Sequence, residues 1–345
     1  MKILITGGTG FLASYLIPAL RERGHSVEAL ALGNEDVSKL LASGVGVHRG
    51  DVRVRETLSG PMQRTDCVYH LAGLMGPWRP LSDYYAVNVT GTENVCLEAL
   101  NAGVRRLIHV SSWTVYGMNL GTWVTEEAPL TPLQEPYAVT KAEGDKLVRR
   151  LIAEERLPAV IIRPGTIFGP GDRLNFGRIA DGLERRRWIT VGSGRNALPL
   201  VYVADVVHGL LLALDAGRAI GQAYNITNDQ PLTQLEAWGA IAEAIGASPP
   251  GIHVPYRLLC AVAYAAERVA MLGNYRFDPL ITRHGVMLFG SDNRHSIQKA
   301  RQELGYAPRV SLREGIRRTG AWYVDRDSGA APAEPVALRR IEALR

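Results

Sequence analysis

Tyr137 and Lys141 stand four residues apart in the stretch YAVTK, a spacing that places two side chains on one face of a helix. The phenol of tyrosine has an ordinary pKa of about 10, so it exchanges protons poorly near neutral pH. A nearby cation favours the phenolate, and Lys141 could therefore lower the pKa of Tyr137. The pair could then exchange a proton with an alcohol or a ketone. A solvated helix face is the alternative, because Y-x-x-x-K also arises by chance.

A glycine-rich stretch near the start of the chain, TGGTGFLA, predicts a binding site for a dinucleotide. It follows the apolar run KILIT and opens the helical pattern FLASYLIPALRERGH, which Gly24 terminates. Gly7, Gly10 and Ala13 are spaced three apart, and Gly8 completes a G-x-G-x-x-A pattern with the last two. Such small residues allow a tight turn, close approach to a pyrophosphate and close packing of helix on strand. The helix N-terminus adds free amides that attract the anion.

The end of the second predicted strand, at 31–34, decides between the two nicotinamide dinucleotides. An acid there would bind a ribose diol, whereas an arginine would favour a 2′-phosphate. The residues are Ala-Leu-Gly-Asn, so neither group is present. Glu35 and Asp36 would repel a phosphate, and no cation precedes Lys39. The sequence therefore slightly favours NAD over NADP.

Strand and helix patterns alternate up to about residue 165, and the strands are nearly continuous apolar runs. This predicts an α/β fold, a Rossmann-type doubly wound parallel sheet, followed by a smaller, mostly helical C-terminal substrate domain. Loops are expected at 248–255 and 273–295. The expected limits are 1–165 for a dinucleotide-binding domain with 200–228 returning to it, 166–199 and 229–324 for a substrate-binding domain, and 325–345 for a tail.

Composition narrows the class of protein. The 345 residues are 46% hydrophobic and carry a net charge of +5, with the basic residues scattered, so no nucleic-acid partner is expected. Three well-separated cysteines, Cys67, Cys96 and Cys260, argue against disulfides and for a reducing compartment. The first apolar run is too short for a signal peptide, so a cytoplasmic protein is expected.

The nine-residue apolar run at 258–266 is too short to span a bilayer. It predicts a buried or pocket-lining helix, with contact at a membrane surface as the alternative.

Further motifs follow one another along the chain: Asp51-Val52, HLAG at 70–73, NVTGT at 88–92, SSWTVYG at 111–117, YAVTK at 137–141 and RPGTIFGPGD at 163–172. With T-G-x-x-G-x-x-A at 6–13, they resemble the extended short-chain dehydrogenase/reductase superfamily of the NAD-dependent epimerase/dehydratase type. The resemblance covers about residues 3–324. It is specific for the superfamily and much less specific for the reaction.

The resemblance implies roles for individual residues. Tyr137 would donate or accept the proton, Lys141 would lower the pKa of Tyr137 and hold the nicotinamide ribose, and Ser112 would bind the reacting oxygen. Asn88 would steady the fold beside the site, and Ser111 is expected to serve as a structural hydroxyl. No metal ligand is expected, and homodimerisation through 83–102 and 135–155 is common in the superfamily. The implied cofactor-binding residues are Gly7, Gly10, Phe11, Leu12, Asp51, Val52, Leu71, Ala72, Gly73, Tyr137, Lys141 and Pro164.

The stretch GSGRNALPLVYV at 192–203 bears on the reaction. Sugar-nucleotide enzymes of the superfamily typically carry G-x-G-x-x-x-R-D-F-x-Y-V, whose arginine binds the diphosphate. Here that position is Leu198 and the acid position is Pro199, so a diphosphate would lose a bidentate cation. Arg195 could substitute, although it is three residues out of register.

The C-terminal stretches VPYRLLCAVAYAAERV, FDPLITRHGV, DNRHSIQKARQELGY and SLREGIRRTGAWY resemble the 3β-hydroxysteroid dehydrogenase-like branch, which handles apolar alcohols or ketones. The sequence thus predicts an NAD(P)-dependent oxidoreductase that interconverts a secondary alcohol and a ketone on a fairly hydrophobic, sterol-like or long-chain, small molecule. The alternative is a nucleotide-sugar epimerase or dehydratase that uses tightly bound NAD transiently. The intact Ser–Tyr–Lys set argues against a third class, a non-catalytic dinucleotide sensor. Four tryptophans on predicted site loops could stack on a flat substrate or serve as plain packing: Trp78, Trp113, Trp123 and Trp188.

Overall fold

The computed structural model describes residues 1–76, 78–118, 121–276, 278–279 and 281–326. The strands in this part of the chain are β1 (Lys2–Thr6), β2 (Ser26–Ala31), β3 (Gly46–Arg49), β4 (Cys67–His70), β5 (Arg106–Val110), β6 (Trp123–Val124), β7 (Ala159–Pro164), β8 (Thr166–Phe168), β9 (Thr190–Val191), β10 (Leu200–Tyr202), β11 (Ala223–Ile226), β12 (His253–Val254) and β13 (Arg294–His295). The helices are α1 (Phe11–Glu22), α2 (Ser38–Ala42), α3 (Glu56–Met62), α4 (Leu81–Tyr85), α5 (Gly91–Asn101), α6 (Pro136–Glu155), α7 (Phe176–Glu184), α8 (Val203–Asp215), α9 (Gln234–Ile245), α10 (Tyr256–Leu272), α11 (Arg283–Gly290), α12 (Gln298–Leu304) and α13 (Leu312–Asp325). A π-helical turn at Ala86–Thr90 links α4 to α5, and short 3₁₀ turns lie at Trp113–Tyr116 and Gly217–Ala219.

Seven strands form one parallel sheet in the order β3-β2-β1-β4-β5-β7-β11. The central strand β1 shows why its sequence lacks polar alternation: Ile3 and Ile5 enter the core on one face, and Leu4 enters the core on the other. A strand covered on both faces reads as a continuous apolar run. The predicted Rossmann-type fold is therefore confirmed.

Helices cover both faces of this sheet. On one face α1 and α8 supply Leu16, Leu20 and Leu210 to the core that contains Ile3. On the other face α5 and α6 supply residues such as Val95 and Val148. The order of strands reverses between β1 and β4, and ligands of such sheets bind outside the carboxyl ends of the strands at this point. The loops after β1, β4 and β5 all emerge at that edge.

The C-terminal part is mostly helical, as predicted. Helices α7, α9 and α13 enclose a separate core around Trp238 and Phe176. A smaller cluster joins α10 to α11 through Leu259, Ala263 and Val286. Strand β11 lies beside β7 in the main sheet, as the expected return of 200–228 requires. The domain limits themselves stay a prediction, and all but two residues of the expected tail lie outside the described part.

Helix α11 lies inside the expected loop 273–295, and α7 lies in a stretch that is rich in Gly, Pro and Arg. The glycines of these helices serve close packing: a Cβ on Gly182 would lie 2.6 Å from the Trp188 ring, and one on Gly290 would lie 2.5 Å from Val191 Cγ1. Such glycines lower helix propensity in the sequence, while tertiary contacts stabilise the helix.

Helix α10 contains the apolar run at 258–266 and is only partly buried. Leu259 and Ala263 face the core, whereas Leu258 and Val262 are exposed. The prediction of a buried helix thus holds for one side of α10. Within the described residues no helix is both long and apolar enough to traverse a bilayer.

Candidate active site

The loop after β1 brings three backbone segments into close contact. Gly7 has a φ of +71°, which favours glycine, and a Cβ there would lie 2.9 Å from the backbone N and Cα of Ala72. A Cβ on Gly8 would lie 2.6 Å from the Cβ of Ala29 on β2. The sequence TGGTG is therefore required by the close approach of β1 to the loops around it.

The start of α1 is open to an anion. Gly10 is the N-cap residue with extended backbone angles, and no side chain caps this helix. The first amides of a helix have no partner within it and lie at the positive end of its dipole, so those of Phe11 and Leu12 can bind a phosphate. A carboxylate-free glycine cradle with an uncapped helix N-terminus fits the pyrophosphate of a dinucleotide.

A loop from the second half of the chain lies beside this cradle. The Phe11 ring borders Gly171, whose added Cβ would lie 3.6 Å from the ring, and the Tyr15 hydroxyl donates to the Pro170 carbonyl at 2.6 Å. This loop belongs to the motif RPGTIFGPGD. The motif is thus fixed next to the start of α1, although about 155 residues separate them in the chain.

The end of β2 carries a cation that sequence reasoning missed. Arg49, the last residue of β3, donates from Nη1 to the carbonyls of Leu32 at 2.6 Å and Glu35 at 2.9 Å. The Glu35 carboxylate in turn accepts from the Leu32 amide at 2.8 Å. An acid and an arginine therefore both lie at this strand end. Arg49 is the last residue of the neighbouring strand β3, so the residues at the end of β2 alone do not reveal it.

The remaining residues predicted to touch the cofactor also lie at the carboxyl ends of the sheet strands. Asp51 follows β3, and its carboxylate accepts two hydrogen bonds from Arg53 Nε at 2.9 and 3.0 Å. These contacts hold the pKa of Asp51 below its usual range, against burial, which raises it. Val52 follows Asp51, Leu71, Ala72 and Gly73 follow β4, and Pro164 ends β7. The structure gathers them at one edge, and their contacts with a cofactor stay a prediction.

Tyr137 lies in the first turn of α6 and is half-buried. Ser112 follows β5 and is buried as the N-cap of the turn Trp113–Tyr116, where its hydroxyl accepts from the Thr114 amide and hydroxyl at 3.2 and 2.9 Å. The side chain of Ser112 is close enough to the Tyr137 hydroxyl to lower the pKa of that phenol. The structure therefore brings together the two hydroxyls that the sequence places 25 residues apart.

The pKa of Tyr137 departs from the sequence-based expectation. The pKa is raised to about 12, chiefly by burial and also by the negative charge of Glu135, while the interaction with the Ser112 side chain lowers it in part. Lys141 is not among the groups that shift the pKa of Tyr137, and its ammonium donates to the carbonyl of Val110 at 2.8 Å. At neutral pH Tyr137 is therefore a protonated phenol, ready to donate.

Lys141 is buried one turn after Tyr137. Burial lowers its pKa to about 8, and the negative charge of Asp145 limits this effect. Its Nζ lies 4.0 Å from the position of a Cβ on Gly73, so the ammonium is beside the loop after β4. The side chain of Lys141 thus extends from α6 to the strand ends that border the predicted cofactor site.

A buried network behind the site was not predicted. Arg163 on β7 and Asp145 on α6 have fully buried side chains and form two hydrogen bonds of 2.6 and 2.9 Å. Arg163 also donates to the Tyr116 hydroxyl at 2.7 Å, and this hydroxyl donates to Asn225 Oδ1 at 2.7 Å. The Ser111 hydroxyl donates to Asp145 at 2.7 Å, which agrees with its expected structural role. The network ties α6 to β5, β7 and β11.

Asn88 has the supporting position that was expected. It lies buried in the π-helical turn, where its Oδ1 accepts from the Leu74 amide at 2.7 Å. Its Nδ2 donates to the Leu74 carbonyl at 3.1 Å and to Thr140 Oγ1 at 3.0 Å. Asn88 thus joins the loop after β4 to helix α6.

The predicted substrate-side residues differ in position. Leu198, where sugar-nucleotide enzymes carry arginine, is buried in the C-terminal core, whereas Arg195 is exposed. Trp188 packs on Trp238, and Trp113 is buried with its Nε1 donating to Thr166, so both serve packing. Trp123 is exposed.

Trp78 joins two loops beside the site. Its ring stacks on that of Tyr275 with centroids 6.3 Å apart, and its amide donates to Asp278 at 2.9 Å. The loop after β4 therefore contacts the segment that precedes α11.

Several known proteins are similar to this chain in sequence and in fold. Residues 3–227 match the model of the NAD dependent epimerase/dehydratase family. The chain is 32% identical to a 2-alkyl-3-oxoalkanoate reductase of Stenotrophomonas maltophilia, over 93% of this chain and 99% of that protein. It is 31% identical to a 3β-hydroxysteroid-dehydrogenase/decarboxylase of Arabidopsis thaliana, over 92% of this chain and 78% of that protein. The crystal structure of gox2253 superposes with a TM-score of 0.79 at 30% identity, covering 95% of this chain and 98% of that one.

The family match covers well over half of the chain and includes the glycine loop, the Ser–Tyr–Lys set and β11. The relatives extend the similarity through the helical C-terminal part. The chain therefore belongs to the NAD-dependent epimerase/dehydratase family, the extended short-chain dehydrogenases/reductases, and is an NAD(P)-dependent oxidoreductase.

Proposed function

We propose that this enzyme interconverts a secondary alcohol and a ketone on a fairly hydrophobic, sterol-like or long-chain, substrate. The observation that carries the proposal is the proximity of the Ser112 and Tyr137 side chains, with Lys141 one turn further along α6. Two hydroxyls at one point can bind a single reacting oxygen. The names of two relatives, a 2-alkyl-3-oxoalkanoate reductase and a 3β-hydroxysteroid-dehydrogenase/decarboxylase, describe redox enzymes with substrates of this class.

The roles proposed for the residues follow from their chemistry. In ketone reduction Tyr137 donates its proton to the carbonyl oxygen while Ser112 donates a hydrogen bond to the same oxygen. In alcohol oxidation Tyr137 takes that proton back. The bound dinucleotide supplies or accepts the hydride. Because the pKa of Tyr137 is about 12, the phenol is protonated at neutral pH, which is the form that donates a proton to a ketone.

The dinucleotide is proposed to lie along the strand ends from the glycine loop to Lys141. Gly7, Gly10 and the first amides of α1 would hold the pyrophosphate, and Lys141 would hold the nicotinamide ribose. NAD is proposed as the preferred form, because the Glu35 carboxylate at the end of β2 repels a 2′-phosphate. Arg49 opposes this preference, although its Nη1 is already bound to two carbonyls.

Conversion of a nucleotide-linked sugar is the second candidate. It is favoured by the family itself, which includes epimerases and dehydratases. Burial of Leu198 in an apolar core opposes it, because position 198 then supplies no cation to bind a diphosphate.

A substrate panel separates the two candidates. The purified protein is offered NAD or NADP with dehydroepiandrosterone and 2-nonanol, and reduced dinucleotide with 2-nonanone, while absorbance at the nicotinamide band is followed. A UDP-sugar is incubated in parallel and its products are separated. Net redox turnover of an apolar probe supports the proposal. Conversion of the UDP-sugar without net redox turnover, with NAD retained through purification, would refute it.

A further inference from the structure

We infer that His284 is a positioning residue for the proposed proton donor Tyr137. Its imidazole is hydrogen-bonded to the carboxylate of Glu135, which caps the first turn of α6. When protonated, it also offsets the negative charge of Glu135 beside Tyr137. The inference rests on the acid–base role proposed for Tyr137. Sequence reasoning assigned no role to His284, which lies in a stretch expected to be a loop.

Glu135 is the N-cap residue of α6, a position at which glutamate is uncommon. Its Oε2 accepts from the Tyr137 amide at 3.0 Å and its Oε1 accepts from the Ala138 amide at 2.6 Å, so it caps α6. Ser, Thr, Asp and Asn are the usual residues at this position. The additional methylene of glutamate allows Oε1 to reach His284 as well, with Nδ1 3.0 Å away. This double contact explains why the cap is a glutamate.

The imidazole of His284 also touches the phenol that it is inferred to position. The rings of His284 and Tyr137 meet edge to face, with centroids 5.8 Å apart and an interplanar angle of 84°. Such a T-shaped contact is favourable and directional. His284 therefore restrains Tyr137 in two ways, through its ring and through the helix cap.

His284 is itself held by the C-terminal part of the chain. It lies in the first turn of α11, where Thr282 caps the helix by accepting from the Gly285 amide at 3.1 Å. The adjacent Arg283 is hydrogen-bonded to Glu267 of α10 at 2.6 Å from its side chain and 2.7 Å from its amide. The imidazole of His284 thus connects α11 to the N-terminus of α6.

The charges around the pair decide its electrostatic effect. The groups that face His284 are Glu135 before α6, Tyr137 on α6, Glu267 on α10 and the adjacent Arg283. Burial lowers the pKa of His284, but the charge and hydrogen bond of Glu135 and the charge of Glu267 raise it, and the net direction is upward. The ionic part of the pair is therefore complete at acid pH and is lost as the pH rises through the pKa of His284 in the folded protein.

The sign of the effect on Tyr137 follows. Besides burial, the negative charge of Glu135 raises the pKa of Tyr137, and an imidazolium bound to that carboxylate opposes this increase. Below the pKa of His284, the imidazolium therefore makes Tyr137 a better proton donor, and loss of that positive charge should make it a poorer one. Loss of the negative charge of Glu135 should lower the pKa of His284 as well as that of Tyr137. A purely structural contact would not make the reaction depend on the charge of His284.

The test uses His284→Gln and Glu135→Gln, which remove one charge each and keep a side chain that can hydrogen-bond. The pH dependence of kcat/KM is measured for reduction of 2-nonanone by the reduced dinucleotide. In the wild type we expect kcat/KM to fall in a step as the pH rises through the pKa of His284, because the imidazolium that makes Tyr137 a better proton donor is lost. H284Q should lack this step, and E135Q should move it to lower pH. His253→Ala, a substitution of an exposed histidine elsewhere in the C-terminal part, is the matched control and should leave the step unchanged. A step that persists in H284Q, or that E135Q leaves in place, would overturn the inference.

A second measurement does not need turnover. The histidine side chains of the full chain are titrated by ¹H–¹⁵N NMR, with the signal of His284 assigned from its loss in H284Q. Glu135→Gln should lower the pKa of His284, and His253→Ala should not change it. An unchanged His284 titration in E135Q would overturn the pairing itself. A shifted titration without turnover of 2-nonanone would leave the pairing intact and count against the proposed function instead.

Discussion

Replacement of Asp145 by Asn should strongly destabilise the protein, because it leaves Arg163 buried without a counter-charge. Both side chains are fully buried, and the two hydrogen bonds between them measure 2.6 and 2.9 Å. Removal of one partner of such a pair costs about 3–5 kcal/mol, since the other charge remains in a medium that solvates it poorly. Asparagine keeps the size of the side chain, so little of this loss comes from a cavity.

The free energy of unfolding is measured by urea denaturation at pH 7 for the wild type, Asp145→Asn and a matched control. Arg149→Ala is the control, because Arg149 also contacts Asp145, at 3.2 Å, but leaves 45% of its side chain exposed. An exposed ion pair contributes under about 1 kcal/mol. The expected order of stability is therefore wild type, then R149A close to it, then D145N well below both.

The pH dependence gives a second check on the same pair. Burial raises the pKa of Asp145, but the hydrogen bonds and charge of Arg163 outweigh it, and the net pKa is lowered. A carboxylate with a lowered pKa stabilises the fold above its unfolded value of about 3.9, and this contribution is lost as the pH falls through the folded pKa. The difference between wild type and D145N should shrink in acid. Equal losses for D145N and R149A, or a difference that persists after Asp145 is protonated, would refute the reasoning.

Three further predictions concern the cofactor and the proton. Gly7→Ala should weaken dinucleotide binding at least about tenfold, as measured by fluorescence titration, because its Cβ would lie 2.9 Å from the backbone of Ala72. Gly24→Ala is the control, since Gly24 has a similar φ of +77° with no atom within 4 Å of the added Cβ, and it should lose stability without losing cofactor affinity. Glu35→Gln should lower KM for NADP about fivefold and leave KM for NAD nearly unchanged, because it removes a negative charge near the ribose; an unchanged ratio of the two KM values would contradict this. Burial lowers the pKa of Lys141 to about 8, so kcat/KM for ketone reduction should fall as the pH rises through about 8. Lys141→Arg should abolish that limb, and a limb that persists in the variant would assign it to another group.

The sheet and its cofactor loop could be predicted because their signals are local. Apolar runs and the glycine spacing of TGGTG depend on residues within a few positions of one another. The φ of +71° at Gly7 and the two-sided burial of β1 give the physical reason for those patterns. That Ser112 and Tyr137 lie at one site was implied by the resemblance of their motifs to the extended short-chain dehydrogenases/reductases, and the strand before Ser112 and the helix that contains Tyr137 agree with it.

The missed features depend on contacts between distant parts of the chain. Arg49 reaches the end of β2 from the next strand, and His284 meets Glu135 across 149 residues. A single sequence holds no record of such pairings. Asp145 is the member of the buried network that the sequence places near the site, because it stands four residues after Lys141 on the same face of α6. A buried acid requires a cationic partner, but the sequence does not show that this partner is Arg163.

The pKa of Tyr137 shows where reasoning from residue types fails. A lysine at i+4 was expected to lower the pKa, but the direction depends on burial and on Glu135, and Lys141 is not among the groups that shift it. None of these can be read from YAVTK. In the structure Tyr137 is a protonated phenol at neutral pH.

The most direct test of the central claim is Tyr137→Phe, which removes one hydroxyl and keeps the ring that packs against His284. Turnover of the apolar substrate that the wild type converts is measured beside the dissociation constant for NAD. General acid catalysis contributes about 10²–10⁴-fold, so kcat should fall by at least about a hundredfold while the dissociation constant changes little. A variant that retains kcat within a few-fold of wild type would contradict the assignment of Tyr137 as the group that handles the proton.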